Sequence, residues 1–269
     1  MDQSLIEMCQ QHLIQALQDR IHATEQAIGQ RFGFEIVQRD TTTAVFAHGW
    51  PQTNHNPPFH RVFHYCAPTS APNDPLLDRI VDNNIDVVIE VVPGNHQPNT
   101  AKLLHTYGFQ PVWHIPWFHL SLEEVEYAAP SAQLIHMVAP SELAQLAAVL
   151  SSGYGYEGPE KEAWQTFAQY GYRAPRFVCF MATVAQHAAA AAGILHLHNT
   201  SALVDGAATL ADYRGSGLQK ALLAARLWYA KQHGATHAFS RTGAGSISQA
   251  NLEKLGMRLL IQSTAWRKI

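Results

Sequence analysis

Apolar side chains recur at three-to-four spacing near the start of the chain. Leu5, Cys9, Leu13, Ala16 and Leu17 form one stripe, which predicts an amphipathic helix over roughly 3–29. Strand-like runs follow at 34–39, 43–48 and 60–66, interrupted by the proline- and histidine-rich segment 51–58. A helix over about 75–85 then leads into a strand at 86–92. Further on, a strand at 132–139 precedes a helix that Ser141 can N-cap. Gly153-Tyr154-Gly155-Tyr156-Glu157-Gly158 reads as a loop before a helix opening near Pro159. Two apolar runs, 176–184 and 188–198, predict a hairpin turning at Ala185-Gln186-His187. A strand at 202–210, a loop at 211–217 and a helix at 218–233 stopped by Gly234 complete the series. Strands and helices mix without strict alternation, so the expected class is α/β of the mixed α+β kind, not a doubly wound nucleotide fold.

Two segments share a rhythm. Residues 86–120 and 235–269 each read as strand, Gly- or Pro-bearing loop, short helix, Gly–apolar stop and final strand, with Gly108-Phe109 and Gly256-Met257 in matching places. This predicts two domains, 1–128 and 129–269, joined through the acidic, proline-bearing stretch 121–131. Short closing strands in both halves would let the two sheets complete one another.

Composition narrows the function. Among 269 residues, 47% are hydrophobic and only 14% charged, which excludes a disordered or coiled-coil chain. The net charge of −3 supplies no basic field for nucleic acid or anionic lipid, so neither is an expected partner. Phe177 to Val204 runs 28 residues without Asp, Glu, Lys or Arg, yet Gln186, His187, His196, His198 and Asn199 interrupt it, against a membrane span. The N-terminus has no signal-like apolar core, and Cys9, Cys66 and Cys179 form neither a disulfide framework nor a CxxC site. A cytoplasmic protein, monomeric or homodimeric, is expected. The 16 histidines include HLH at 196–198 on one strand face, but no third ligand has metal-site spacing, so no metal is expected.

The chemistry-bearing motif follows strand 202–210. Arg214-Gly215-Ser216-Gly217 leads directly into a strongly apolar helix. Glycines let the backbone approach a ligand closely, and a helix N-terminus presents unpaired N–H groups and partial positive charge, a combination that suits a phosphate. The run lacks the third glycine of a dinucleotide site and the Gly-Lys-Ser/Thr of a Walker loop.

Arg214-Gly215-Ser216-Gly217-Leu218-Gln219 resembles the phosphate loop of the GNAT superfamily of acyl-CoA-dependent N-acyltransferases, with Gln219 in place of the usual small residue. Ser246 to Met257, an Asn-bearing helix ending in Gly256-Met257, is similar to that family's second signature. The resemblance covers about 130–269, and the first half is similar in weakened form, without a phosphate loop. It implies two GNAT-like domains, each a mixed sheet flanked by helices, the N-terminal one having lost cofactor binding. In the second, splayed parallel strands 202–210 and 236–241 would hold acetyl-CoA. Arg214, Gly215, Ser216, Gly217, Leu218, Gln219 and Lys220 would take the pyrophosphate. Ala208, Thr209 and Leu210 would run beside the pantetheine arm, which Asn251 would also contact, and Gly206 suits the strand bulge beside the thioester.

The reaction implied is direct attack of a small metabolite's primary amine on the thioester, which needs a base. Asp205, the sole carboxylate between 177 and 211, is the candidate. The family's usual acid, a Tyr, is replaced here by Leu252. Tyr154 and Tyr156 are the candidates to serve instead or to shape the acceptor site, and His196 and His198 could act through water. Two rival expectations stand beside this one: N-acetylation of a protein or peptide, and a non-catalytic acyl-CoA-binding protein.

Overall fold

The computed structural model describes residues 2–51, 59–68, 73–93, 99–131, 134–184 and 188–269. The expected turn at 185–187 and most of the 51–58 segment lie outside the described residues. The elements are α1 (Gln3–Ile28), β1 (Phe34–Arg39), β2 (Thr42–Ala47), β3 (Arg61–Phe63), α2 (Pro75–Asp82), β4 (Val88–Val91), α3 (Thr100–Thr106), β5 (Phe109–Ser121), β6 (Ile135–Met137), α4 (Leu143–Tyr154) and α5 (Gly158–Gly171). They continue with β7 (Phe177–Val184), β8 (Ala188–His198), β9 (Ser201–Thr209), α6 (Leu218–Gln232), β10 (His237–Arg241), α7 (Ile247–Lys254) and β11 (Arg258–Lys268). The class is mixed α+β, and the uncharged run 177–204 supplies strands. No helix among the described residues is long and apolar enough to cross a membrane.

Packing divides the chain differently from a cut at residue 128. One unit comprises Met1–Gly29, Phe118–Arg241 and Gly245–Leu260; the other comprises Gln30–Trp117, Thr242–Ala244 and Ile261–Ile269. The reason lies in α1, whose stripe of Ile6, Cys9, Leu13, Ala16 and Leu17 is buried within the larger unit. The closing strands are not short. β5 has 13 residues and β11 has 11, and each runs through both units.

In the larger unit the strand order is β5-β10-β9-β8-β7-β6, with β6 to β9 antiparallel and β10 parallel to β9. Gly153 of α4 lies against Ala208, while Gln219 of α6 meets Thr209. Consecutive strand residues point to opposite faces, so α4 and α6 cover opposite sides of β9. The core between the sheet and α6 includes Phe180, Leu195, Val204, Leu222, Leu227 and Leu252.

Two local expectations need correction. Gly153 and Tyr154 belong to the last turn of α4, which Gly155 closes in the left-handed conformation at φ +77°, so only Gly155 to Glu157 form the connection. Ser141 does not cap α4: Pro140 opens a 3-10 turn over Pro140–Glu142, and the Glu142 carboxylate reaches back to the Ala139 N–H at 2.8 Å. The paired rhythm appears as β4–α3–β5 and β10–α7–β11, with Gly108 and Gly256 at φ +84° and +90° just past their helices.

In the smaller unit the order is β1-β2-β3-β4-β11-β5, around a core of Phe46, Tyr65, Leu77, Ile89, Leu104 and Phe109. β3–α2–β4 repeats in this unit the parallel crossover that β9–α6–β10 makes in the other.

Candidate functional site

The pairing of β9 with β10 lasts three residues, from Ser201↔His237 to Leu203↔Phe239. Beyond it the Ser240 hydroxyl, not a backbone N–H, donates to the Val204 carbonyl at 2.8 Å. From Asp205 to Thr209 the edge of β9 that faces β10 therefore has no ladder partner among the described residues, as the expected splay of these two strands requires. On its other edge β9 pairs with β8, and there Ile194 opposes Asp205 while Gly193 opposes Ala207. Gly206 is the extra residue of a bulge, at φ +43°, a conformation glycine reaches without steric cost. In an uninterrupted strand Asp205 and Ala208 would face opposite sides; the bulge turns both toward the helices α1, α4 and α5.

A buried arginine holds the bulge. Arg226 of α6 is 2% exposed, and its Nη1 donates to the carbonyls of Ile194 and Asp205 at 3.0 and 3.1 Å, the residues flanking the irregularity. Burial pulls this guanidinium down to about 10. Only glycine fits above it, since a Cβ on Gly193 would lie 2.9 Å from its Cζ.

Two tyrosine hydroxyls converge on Gly206. A Cβ there would stand 3.5 Å from the Tyr172 hydroxyl and 3.6 Å from that of Tyr154. Tyr154 is 44% exposed, yet its hydroxyl is the end turned inward. Burial pushes Tyr172 up to about 12 and Tyr154 well above the usual phenol range, reinforced in both by the Asp205 carboxylate, so both keep their protons. Asp205 Oδ2 lies 3.8 Å from Nη1 of Arg20, which also donates to the Tyr172 hydroxyl at 3.4 Å. Tyr156 packs its ring against Tyr154 and Trp164 and walls this side. The structure thus brings Asp205, Tyr154 and Gly206 together, and adds Tyr172 and Arg20, which sequence reasoning missed.

The glycine loop lies at the far end of the open β9 edge. Gly215 and Gly217 have φ of +78° and +82°, nothing lies within 4 Å of a Cβ built on either, and the Ser216 hydroxyl ties the turn to the Tyr213 carbonyl. Gly217 caps α6 without a side chain. The first intrahelical bond is Ala221 N–H to Gly217 C=O, which leaves the amides of Leu218, Gln219 and Lys220 directed out of the helix end. Arg214 is anchored beside them by bonds to the carbonyls of Thr209 and Gly153, both 3.3 Å. This open backbone cradle, joined to an unladdered strand edge, fits the phosphates and extended arm of a CoA ester. The corresponding helix of the smaller unit does not: buried Asp74 caps α2, accepting from Leu76 N–H, from both Arg39 nitrogens and from Tyr65, and so places a carboxylate where an anion would sit.

Other expected residues stand apart. Asn251 is half-buried on α7 and shares no hydrogen bond with either group among the described residues. Leu252 is 5% exposed and packs in the core. His196 is sealed inside a chain of contacts: Ser201 Oγ to His12 Nδ1 at 2.6 Å, His12 Nε2 to His196 Nδ1 at 2.8 Å, and His196 Nε2 to Asp19 Oδ2 at 2.8 Å. His198 meets Arg176, which itself pairs with Asp19. Neither histidine faces the bulge. Among the described residues no three His, Cys, Asp or Glu side chains gather as a metal site would need.

No protein-family model matches the chain, and no curated protein matches it in sequence. Solved structures do resemble it. A GCN5-related N-acetyltransferase from Kribbella flavida superposes with a TM-score of 0.59 at 16% identity, over 93% of this chain and 95% of that one. The chain has the GNAT fold. A tandem GNAT protein from the clavulanic acid biosynthesis pathway gives 0.59 at 15% identity, over 84% of this chain and 77% of that one. A GCN5-related N-acetyltransferase from Sphaerobacter thermophilus gives 0.55 at 14%, matching 68% of this chain and 60% of its own length.

Proposed function

We propose that the larger unit is the catalytic domain of an acyltransferase that moves an acetyl group from acetyl-CoA to the primary amine of a small metabolite, and that the smaller unit is a degenerate copy. The observation that carries this reading is the convergence at Gly206: a carboxylate and two protonated phenols meet at a bulge on an open strand edge that ends in an anion cradle. The amides of Gly215, Gly217, Leu218, Gln219 and Lys220, with Arg214, would hold the pyrophosphate, and the backbone of Ala208, Thr209 and Leu210 the arm. Acetyl-CoA would supply a thioester whose acyl carbon bonds to the amine nitrogen as its bond to sulfur breaks, releasing the CoA thiol and one proton.

Asp205, 27% exposed beside the bulge, is oriented to take a proton from the acceptor ammonium. Tyr154 and Tyr172, which retain their protons, act as donors toward the same point and replace the tyrosine that Leu252 precludes. Arg226 keeps the bulge, and hence Asp205, in place. Thiol release from acetyl-CoA across a panel of primary amines, together with calorimetric CoA binding, tests this. Tight CoA binding with no turnover on any amine would instead support the acyl-CoA-binding reading, which the buried Leu252 favours.

A further inference from the structure

Arg39, Arg79 and Arg176 each hold a carboxylate through two nitrogens, as structural pairs do. Arg39 meets Asp74 through two nitrogens at 2.6 and 2.8 Å, Arg79 meets Glu35 at 2.7 and 2.6 Å, and Arg176 meets Asp19 at 2.7 and 2.8 Å. Arg20 breaks this pattern although its side chain is only 16% exposed. Its shortest polar contacts are 3.4 Å to the Tyr172 hydroxyl and 3.8 Å to Asp205, both from Nη1. Nε is enclosed without a hydrogen-bond partner, and Nη2 has none among the described residues. The rings of Phe167, Tyr172 and Phe177 surround its Cζ at 5.8 to 6.0 Å, which fixes the guanidinium where it is. Burial of this cation is outweighed by Tyr172 and Asp205, which hold its pKa above the usual value, yet they leave its hydrogen-bonding fork unfilled.

Its position gives that gap a meaning. The guanidinium and the Asp205 carboxylate face each other across a loose 3.8 Å contact directly beside the bulge. An acceptor carrying an ammonium and a carboxylate on one carbon matches both charges at once. We infer that Arg20 is the carboxylate anchor of the acceptor site and that the acceptor is a free α-amino acid, its ammonium held by Asp205 and its carboxylate by the fork of Arg20. The inference rests on the transferase reading for the role of Asp205. It separates free amino acids from peptides, whose N-terminal residue presents a neutral amide where the carboxylate would be.

The test is calorimetry on the full chain saturated with CoA, titrated with the free L-amino acids, the corresponding L-amino-acid amides and amines lacking the carboxyl group. At least one amino acid should bind about 100-fold more tightly than its amide and its decarboxylated amine, the worth of one charge-assisted fork. Arg20→Gln should erase that preference; Arg20→Lys, which keeps the charge and loses the fork, should retain about a tenth of the affinity and serves if the Gln variant does not fold. Amides or plain amines that bind as tightly as amino acids, no binding by any amino acid, or a folded Arg20→Gln that keeps the preference would each overturn the assignment. So would a variant that loses turnover with acceptor affinity unchanged, since that marks a residue that only positions Asp205. Amino-acid binding without thiol release from acetyl-CoA would instead refute the transferase reading and leave the anchor standing.

Discussion

Acidification should loosen the seat of α1 well before it titrates the surface carboxylates. Asp19 accepts from His196 Nε2–H, so neutral His196 offers a bare Nδ1 to His12 Nε2–H, and His12 Nδ1 is left to accept from Ser201. One set of neutral tautomers satisfies all three bonds. A first added proton can be met by turning the Ser201 hydroxyl to the His198 carbonyl at 2.9 Å, but a second meets another N–H. Burial, with the neighbouring positive groups, holds His12 at about 3 and His196 at about 4, against 6.5 in an open chain. Both folded values lie below the unfolded ones, so the stability they contribute is complete above pH 6.5 and is lost as pH falls toward 4. The unfolded chain binds up to two protons that the fold refuses, a slope of up to about 3 kcal/mol per pH unit. From pH 7 to pH 5 the loss is about 4 kcal/mol, a large share of the 5–15 typical of a domain. Asp19 lies below its usual value, where hydrogen bonds from His196 and Gln15 and the charge of Arg176 outweigh burial, and it adds in the same direction at lower pH. Hydrogen exchange of α1 and β8 amides under mild urea at pH 7, 6 and 5 reads this directly, with His12→Gln expected to remove about half the slope. Protection independent of pH, or a variant with the wild-type slope, would refute the reasoning.

The cleft makes three further predictions. Asp205→Asn should lower kcat about 100-fold or more with CoA affinity nearly unchanged, in steady-state thiol release and calorimetry. Gly217→Val forces a β-branched residue to φ +82° and fills the cradle with nothing else nearby to clash, so CoA affinity should fall at least about tenfold for about 1–2 kcal/mol of stability, read by calorimetry and thermal melting. Gly193→Ala places a methyl 2.9 Å from the Arg226 guanidinium, which must leave the Ile194 and Asp205 carbonyls; a loss of about 1–3 kcal/mol in urea unfolding and reduced turnover are expected together.

Features that depend on local backbone were legible in the sequence. Gly215 and Gly217 are needed at positive φ, Gly206 marks the bulge, and strand and helix periods located most elements within a few residues. The pair Asp205-Gly206 stood out because a lone carboxylate on an apolar strand needs a reason. Residues whose role depends on distant neighbours were not legible. Arg20 reads as an ordinary charged position on an amphipathic helix until Asp205 and Tyr172 are brought to it. Tyr172 ends a helix without any motif. The stripe of α1 announced burial but not the surface it covers, and so the domain boundary drawn from linker composition missed its attachment. The histidines resisted spacing rules because His12 and His196 stand 184 positions apart and meet through the fold.

The seat of α1 also bears on how this molecule comes into being. Translation delivers α1 well before its partners, since His12 and Asp19 find Ser201 and His196 only 189 and 177 residues later. Throughout that interval its apolar stripe has no surface to cover, and closing so long a loop is among the slow steps of folding. The larger unit therefore cannot mature until the chain has been made out to Leu260, the last residue it contains. Expressing residues 129–269 alone would remove the helix that carries Arg20 and two links of the buried histidine chain. Separate production of an α1 peptide and its addition in trans should restore both, a complementation that a self-sufficient C-terminal domain would not need.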